Sequence, residues 1–192
     1  MSFVIANIID MVDKYGEPDI SAALSVFSCP LNKEIEDFIK TKAIDFARKK
    51  LSVTYLIYDD AYNELVGYFT LAHKAIEIKK EKVSSRVEKR IQRFVPFDEA
   101  NNSYTISAFL LAQFGKNYAV DGGGRIDGDV LMDLADAVTF DIQHRIGGGF
   151  IYLDVLAKND KVVNFYHDHC RYVAFSERIS NGEKYTQMIR SI

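Results

Sequence analysis

Residues 118–138 read YAVDGGGRIDGDVLMDLADAV, and the way this corner turns decides the fold. An apolar strand end runs into Gly122, Gly123 and Gly124, then into Arg125 and a helical pattern over Asp127 to Ile146, which a second glycine run at 147–149 closes. Three readings compete. A dinucleotide fingerprint fails on spacing, because Gly122, Gly124 and Gly128 are one residue too far apart for G-x-G-x-x-G. A P-loop fails because no Lys-Ser or Lys-Thr follows the glycines. A strand-to-helix turn that only needs permissive backbone asks for nothing more.

Outward from the corner, SYTISAFLLAQFGKNYAVD (103–121) reads as a long strand and FIYLDVLA (150–157) as a short buried one. A strand, a helix and a strand in that order predict a right-handed parallel crossover. Upstream, SVTYLIYD and ELVGYFTLAHKAIEI flank the polar turn DAYN and predict an antiparallel hairpin. Ile35, Phe38, Ile39, Ala43, Phe46 and Ala47 recur at helical intervals within Leu31–Lys50, which predicts an amphipathic helix capped by Asn32. Phe3–Tyr15 predicts a short helix ended by GEPD, so that residues 1–20 form a helical extension. KNDKVVNFYHDH predicts a further helix, and RYVAFSERI and YTQMIRSI the last strands. The expectation is one α/β domain over 1–192, a mixed central sheet flanked by helices.

At 192 residues and 48 % hydrophobic, the chain can bury one sizeable core. A net charge of −3 gives no global attraction for nucleic acid or anionic lipid. Locally, KKEKVSSRVEKRIQR (79–93) holds seven Lys and Arg against two Glu, a connector with helical character. Two cysteines, Cys29 and Cys170, make no disulfide framework, the first residues lack a signal-peptide pattern, and no apolar run reaches the ~20 residues of a membrane span. A cytoplasmic protein with no membrane partner is expected. HDHC (167–170) does not make a metal site, since helix neighbours point in different directions and no distant ligand set is visible.

Three features together resemble the GNAT acyltransferase superfamily. LLAQFGKNYAVD with RIDGDV and LADA is similar to its acyl-CoA pyrophosphate segment, Q/R-x-x-G-x-G/A at a strand-to-helix turn: Arg125 takes the first position and Gly128 the first glycine, while Val130 stands where Gly or Ala is preferred. After the strand FIYLDVLA, Asn159 precedes Tyr166 by seven residues, one short of the superfamily's N-x6-FY, and the Gly-Phe pair that usually follows is replaced by HCRY. FSCPLNKEIEDFIKTKA followed by TYLIYD and LVGYFTLA resembles the opening of GNAT proteins of the toxin–antitoxin type. The resemblance covers about residues 25–180.

The resemblance implies direct transfer of an acetyl group from acetyl-CoA to an amine acceptor, with no metal and no acyl-enzyme at Cys170. Tyr118, Ala119 and Val120 would pair with the pantetheine arm. Arg125, Ile126, Asp127, Gly128, Asp129 and Val130 would hold the pyrophosphate at a helix N-terminus. Asn159 would orient the cofactor or cap a helix, and Tyr166 would protonate the departing thiolate. Asp154, Glu77 and His73 are candidates for the base. The acceptor is open between a small-molecule or protein amine and an aminoacyl-tRNA, the latter with Arg86, Lys89, Arg90 and Arg93 as contacts. A third outcome is a GNAT-shaped binding module that no longer catalyses, suggested by Val130, Asp127 and Asp129. Exposed C-terminal strand edges fit a homodimer.

Overall fold

A computed structural model describes residues 2–192. In chain order the elements are β1 (Phe3–Asn7), α1 (Ile8–Tyr15), α2 (Glu17–Ser25), α3 (Lys33–Thr41), α4 (Ala43–Arg48), β2 (Val53–Asp59), β3 (Glu64–Lys79), α5 (Ser85–Ile91), β4 (Ser103–Lys116), α6 (Gly128–Ile146), β5 (Phe150–Leu156), α7 (Asp160–Asn164), β6 (Val173–Ser180) and β7 (Glu183–Ser191). The seven strands make one mixed sheet in the order β1-β2-β3-β4-β5-β7-β6. The β1–β2, β2–β3, β5–β7 and β6–β7 pairs are antiparallel, and β4–β5, joined through α6, is the expected parallel crossover. The chain divides into two compact units, residues 1–72 with 111–137 and residues 73–110 with 138–192.

In the first unit the N-terminus corrects the sequence expectation. Phe3–Asn7 is a strand paired with β2 where the pattern predicts a helix, and Asn7 then caps α1 by accepting from the Ile9 N–H at 2.9 Å. GEPD does more than end α1: Gly16, at φ 86°, turns the chain and Pro18 lies in the first turn of α2, where its missing N–H costs nothing. Ile8 and Ile20 are buried with Leu24, Phe27, Phe38, Ile39, Leu56 and Tyr68, so α1 and α2 contribute to the core of this unit. The helix predicted over 31–50 exists as α3 and α4. They are separated at Lys42, directly after Thr41 turns its hydroxyl back on the Asp37 carbonyl at 2.6 Å, a bond that bends helices. Helix α3 lies against β4 so closely that a Cβ at Gly115 would sit 2.6 Å from Ile35 Cγ2, while the Tyr68 hydroxyl donates to the Ile35 carbonyl at 2.6 Å.

In the second unit Val83, Val87, Ile91 and Val95, four residues apart, turn one ridge of the connector onto Tyr104, Ile106, Ala108, Phe150 and Phe175. Ala108–Leu110 pair with Phe150–Tyr152. Strand β7 runs the length of β5, from Phe150↔Ser191 to Leu156↔Tyr185. It returns from β6 through Asn181-Gly182, both in the left-handed region, as a two-residue hairpin turn demands. Among the described residues no helix is long and apolar enough to cross a membrane.

Candidate active site

The predicted cofactor residues 118–130 lie in the first unit, and Asn159 and Tyr166 in the second. Strand β4 ends at Lys116, so Tyr118–Val120, predicted as strand, form a turn. The cause is Asn117, 2 % exposed, which sequence reading passes over. Its Oδ1 accepts from the Ser28 N–H at 2.9 Å and the Ala119 N–H at 3.1 Å, its Nδ2 donates to the Leu65 carbonyl at 2.7 Å, and its own N–H donates to the Val66 carbonyl at 2.8 Å. The Tyr118 N–H donates to the Ser28 carbonyl at 2.7 Å. The amides of Tyr118 and Ala119 are therefore engaged within the protein. The loop that Asn117 grips is held from its other side, where Glu36 Oε2 accepts from the Cys29 N–H at 2.9 Å. That bond, with Lys40 and Lys33, holds the Glu36 carboxyl down at about 2.

The glycines answer a backbone demand. Asp121, Gly122 and Gly123 have φ of 48°, 57° and 80°, three left-handed residues in a row, and a Cβ at Gly123 would lie 3.0 Å from the Tyr118 ring. The chain then swings into α6, whose first backbone bond runs from Leu131 N–H to the Asp127 carbonyl at 3.0 Å. Gly128, Asp129 and Val130 occupy the first turn, the part of a helix whose N–H groups point away from the helix's own carbonyls. The Asp127 and Asp129 side chains are exposed, Val130 is 36 % exposed, and Ile126 is buried as the anchor of the turn. Arg125 is half-buried among acidic and aromatic neighbours. Its guanidinium lies 4.5 Å from the centre of the Tyr62 ring, with Nε 3.9 Å from Asp59 Oδ2 and a terminal nitrogen 3.7 Å from Glu64 Oε2. It ties the glycine corner to the β2–β3 turn by charge, at distances too long for hydrogen bonds.

In the second unit Asn159 caps α7, accepting from the Val162 N–H at 3.3 Å. Helix α7 is shorter than predicted: from Phe165 to His169 the chain widens into a π-turn closed by Cys170 N–H on the Phe165 carbonyl at 3.3 Å. Such turns re-aim side chains and gather at functional sites. Tyr166 lies on it, 8 % exposed, its ring edge-on to Phe165 and Tyr172. Burial first, then Tyr172 and Cys170, pushes its phenol pKa well above the usual range, so Tyr166 stays protonated at neutral pH. Arg171, in the stretch that replaces the Gly-Phe pair, takes φ 61°, a conformation glycine adopts without strain.

Of the base candidates, Asp154 is committed to Arg178 Nε at 2.7 Å and to Gln187 Nε2 at 2.9 Å. Glu77 pairs with Lys79, and its carboxyl pKa is lowered by that lysine and by Ser103. Asp154 is thus occupied by two partners, and Glu77 is held toward its anionic form by Lys79 and Ser103. His73 keeps an exposed ring, bonded through Nε2 to Ser107 Oγ at 2.8 Å. In HDHC, His167 bonds Asp168 at 2.7 Å, and no group of three or more His, Cys, Asp or Glu gathers as a metal site among the described residues.

The mixed sheet with its flanking helices is a GNAT-like fold, as the comparisons with solved structures bear out. The KacT tyrosine-to-phenylalanine mutant matches with a TM-score of 0.68 and 15 % identity, covering 100 % of this chain and 95 % of that one. AtaT complexed with acetyl-methionyl-tRNAfMet matches with a TM-score of 0.66 and 16 % identity, over 99 % of this chain and 95 % of that one. AtaTR bound with AcCoA matches with a TM-score of 0.62 and 16 % identity, over 98 % and 92 %. The resemblance to GNAT proteins of the toxin–antitoxin type therefore holds at the level of fold. No protein-family model and no curated protein matches the sequence.

Proposed function

We propose that the chain is one acetyl-CoA-dependent N-acetyltransferase domain, acting in the cytoplasm on a primary amine by direct transfer. The observation that carries this is the placement of Tyr166: a buried phenol on a π-turn that follows an asparagine-capped helix, at the position where the family's motif puts its proton donor to the departing thiolate. The first turn of α6, entered at Gly128, supplies the positive end of a 19-residue helix for a pyrophosphate, with the Asp127 and Asp129 side chains exposed to solvent. Asn159 spends its side-chain oxygen on the α7 cap and acts by setting the π-turn in place. The fold match to a structure holding AcCoA supports the same donor.

An aminoacyl-tRNA is the acceptor that the surface favours. Arg86, Lys89, Arg90 and Arg93 have no ion-pair partner among the described residues, whereas the cations at 33, 40, 48, 49, 145, 158, 178 and 184 are paired. Unpaired cations on one element are what a phosphate backbone selects. The fold is also that of AtaT, solved with acetyl-methionyl-tRNAfMet. Strand β6 ends the sheet, with Ile179 79 % exposed, an edge that suits a second copy.

Calorimetry with acetyl-CoA tests the donor. Wild type should bind, and Gly128→Glu, which puts bulk and negative charge into the first turn of α6, should abolish binding while circular dichroism stays unchanged. A folded wild type that does not bind acetyl-CoA rules out the enzyme and leaves the non-catalytic module.

A further inference from the structure

We infer that the α5 connector and Phe94 form a recognition stripe for an unpaired RNA strand, in which Phe94 stacks a base while the flanking arginines hold phosphates. It deepens the acceptor assignment above and rests on it. The helical turn of α5 continues past Ile91: Phe94 N–H and Val95 N–H both donate to the Ile91 carbonyl, at 2.9 and 3.1 Å. Val87 and Ile91 of α5 face the core with Val83 and Val95 packed beside them, and at helical spacing Arg86, Lys89 and Arg90 fall within an arc of roughly 100° on one flank, with Arg93 in the turn that follows. Glu88 and Gln92, the polar residues of opposite or no charge, lie on the other flank, where Glu88 accepts from the Tyr104 hydroxyl at 2.8 Å. The cationic flank is therefore undiluted.

Phe94 follows in the same turn, four residues from Arg90 and next to Arg93. It is 53 % exposed, and the rest of its ring is packed: it stands edge-on to Phe150 at 5.2 Å, and a Cβ on Gly149 would come within 3.0 Å of it. Gly149 thus leaves space for the ring against its backbone. An aromatic side chain packed on one side, half open to solvent and next in sequence to arginines without ion-pair partners among the described residues, matches what single-stranded nucleic acid selects: a π-face for a base and charge for its backbone. Duplex RNA offers its phosphates but not its stacked bases. That separates this stripe from a surface that reads charge alone.

Fluorescence anisotropy with a short unstructured RNA oligonucleotide tests the inference on the full chain. Phe94→Leu keeps the apolar contact with Phe150 but removes the ring; it should weaken binding by roughly 10- to 100-fold, and Phe94→Tyr should restore it. Arg86→Gln combined with Arg90→Gln should lower the slope of log affinity against log salt by about 1.4, at about 0.7 for each phosphate contact. An RNA duplex should compete poorly. Equal binding by Phe94→Leu and wild type, equal competition by duplex, or no RNA binding at all would overturn the stripe. Acetyl-CoA binding measured on the same samples keeps the two claims apart: RNA binding without acetyl-CoA binding sinks the transferase and leaves the stripe standing, and the reverse does the opposite.

Discussion

Tyr166→Phe should lower the rate of acetyl transfer by about 10²- to 10⁴-fold, the range removed with a positioned general acid, while acetyl-CoA still binds. The substitution removes one oxygen and keeps the ring that packs against Phe165 and Tyr172. Stability should therefore fall by no more than about 1 kcal/mol, the net worth of one hydrogen bond. The protonated state follows from burial, so the sign of the pH effect is fixed. A raised phenol pKa leaves the acid form fully populated through neutral pH, and the basic limb attributable to Tyr166 moves above the ~10 of an ordinary tyrosine. The measurement is thiol release from acetyl-CoA in the presence of an aminoacyl-tRNA or a primary amine, resolved into kcat and KM. Loss in kcat with KM held marks a group that acts in the transition state. An unchanged kcat would make Tyr166 a packing residue and move proton delivery elsewhere, with water the remaining carrier.

Much of the architecture could be read from periodicity, because it is written locally. The β2–β3 hairpin follows from two apolar runs around a polar turn, and the parallel β4–α6–β5 unit from glycine runs that bracket a helix. The misreadings occur where a distant partner overrides local pattern. Phe3–Asn7 is a strand because β2 offers it a ladder. The apolar run of Tyr118, Ala119 and Val120 does not carry β4 beyond Lys116, since a buried asparagine diverts the chain toward residues 28 and 65. The same holds for function. Arg125 and Gly128 stand together in a motif, yet the fold turns the arginine to Asp59 and Glu64, two partners that the motif does not announce. The π-turn under Tyr166 has no sequence signature, because it is a single extra residue in a helix whose cost is met by packing.

Asn117→Ala should be the most damaging substitution in the first unit. It removes an acceptor shared by the Ser28 and Ala119 amides and a donor to the Leu65 carbonyl, in a site 2 % exposed. Water cannot replace three bonds at a buried position at no cost, and each orphaned group carries about 1–3 kcal/mol of desolvation. A loss of about 3–5 kcal/mol follows, near 10 °C in Tm for a chain of this size at about 2–4 °C per kcal/mol. Asn117→Asp separates the two halves of the role. It retains an acceptor for both amides but sets a second acceptor against the Leu65 carbonyl, so it should fall between wild type and alanine at neutral pH. It should recover as pH drops through the aspartate pKa, when the protonated carboxyl can donate to that carbonyl as the amide does. Thermal unfolding of both variants across about pH 4–8 is the test, the window being that of a carboxyl raised by burial. Because Asn117 also sets where the glycine corner begins, the alanine variant should lose acetyl-CoA affinity even at temperatures where it remains folded. Equal stability of Asn117→Ala and wild type would mean that the turn is held by Tyr118 on the Ser28 carbonyl and by the glycines alone.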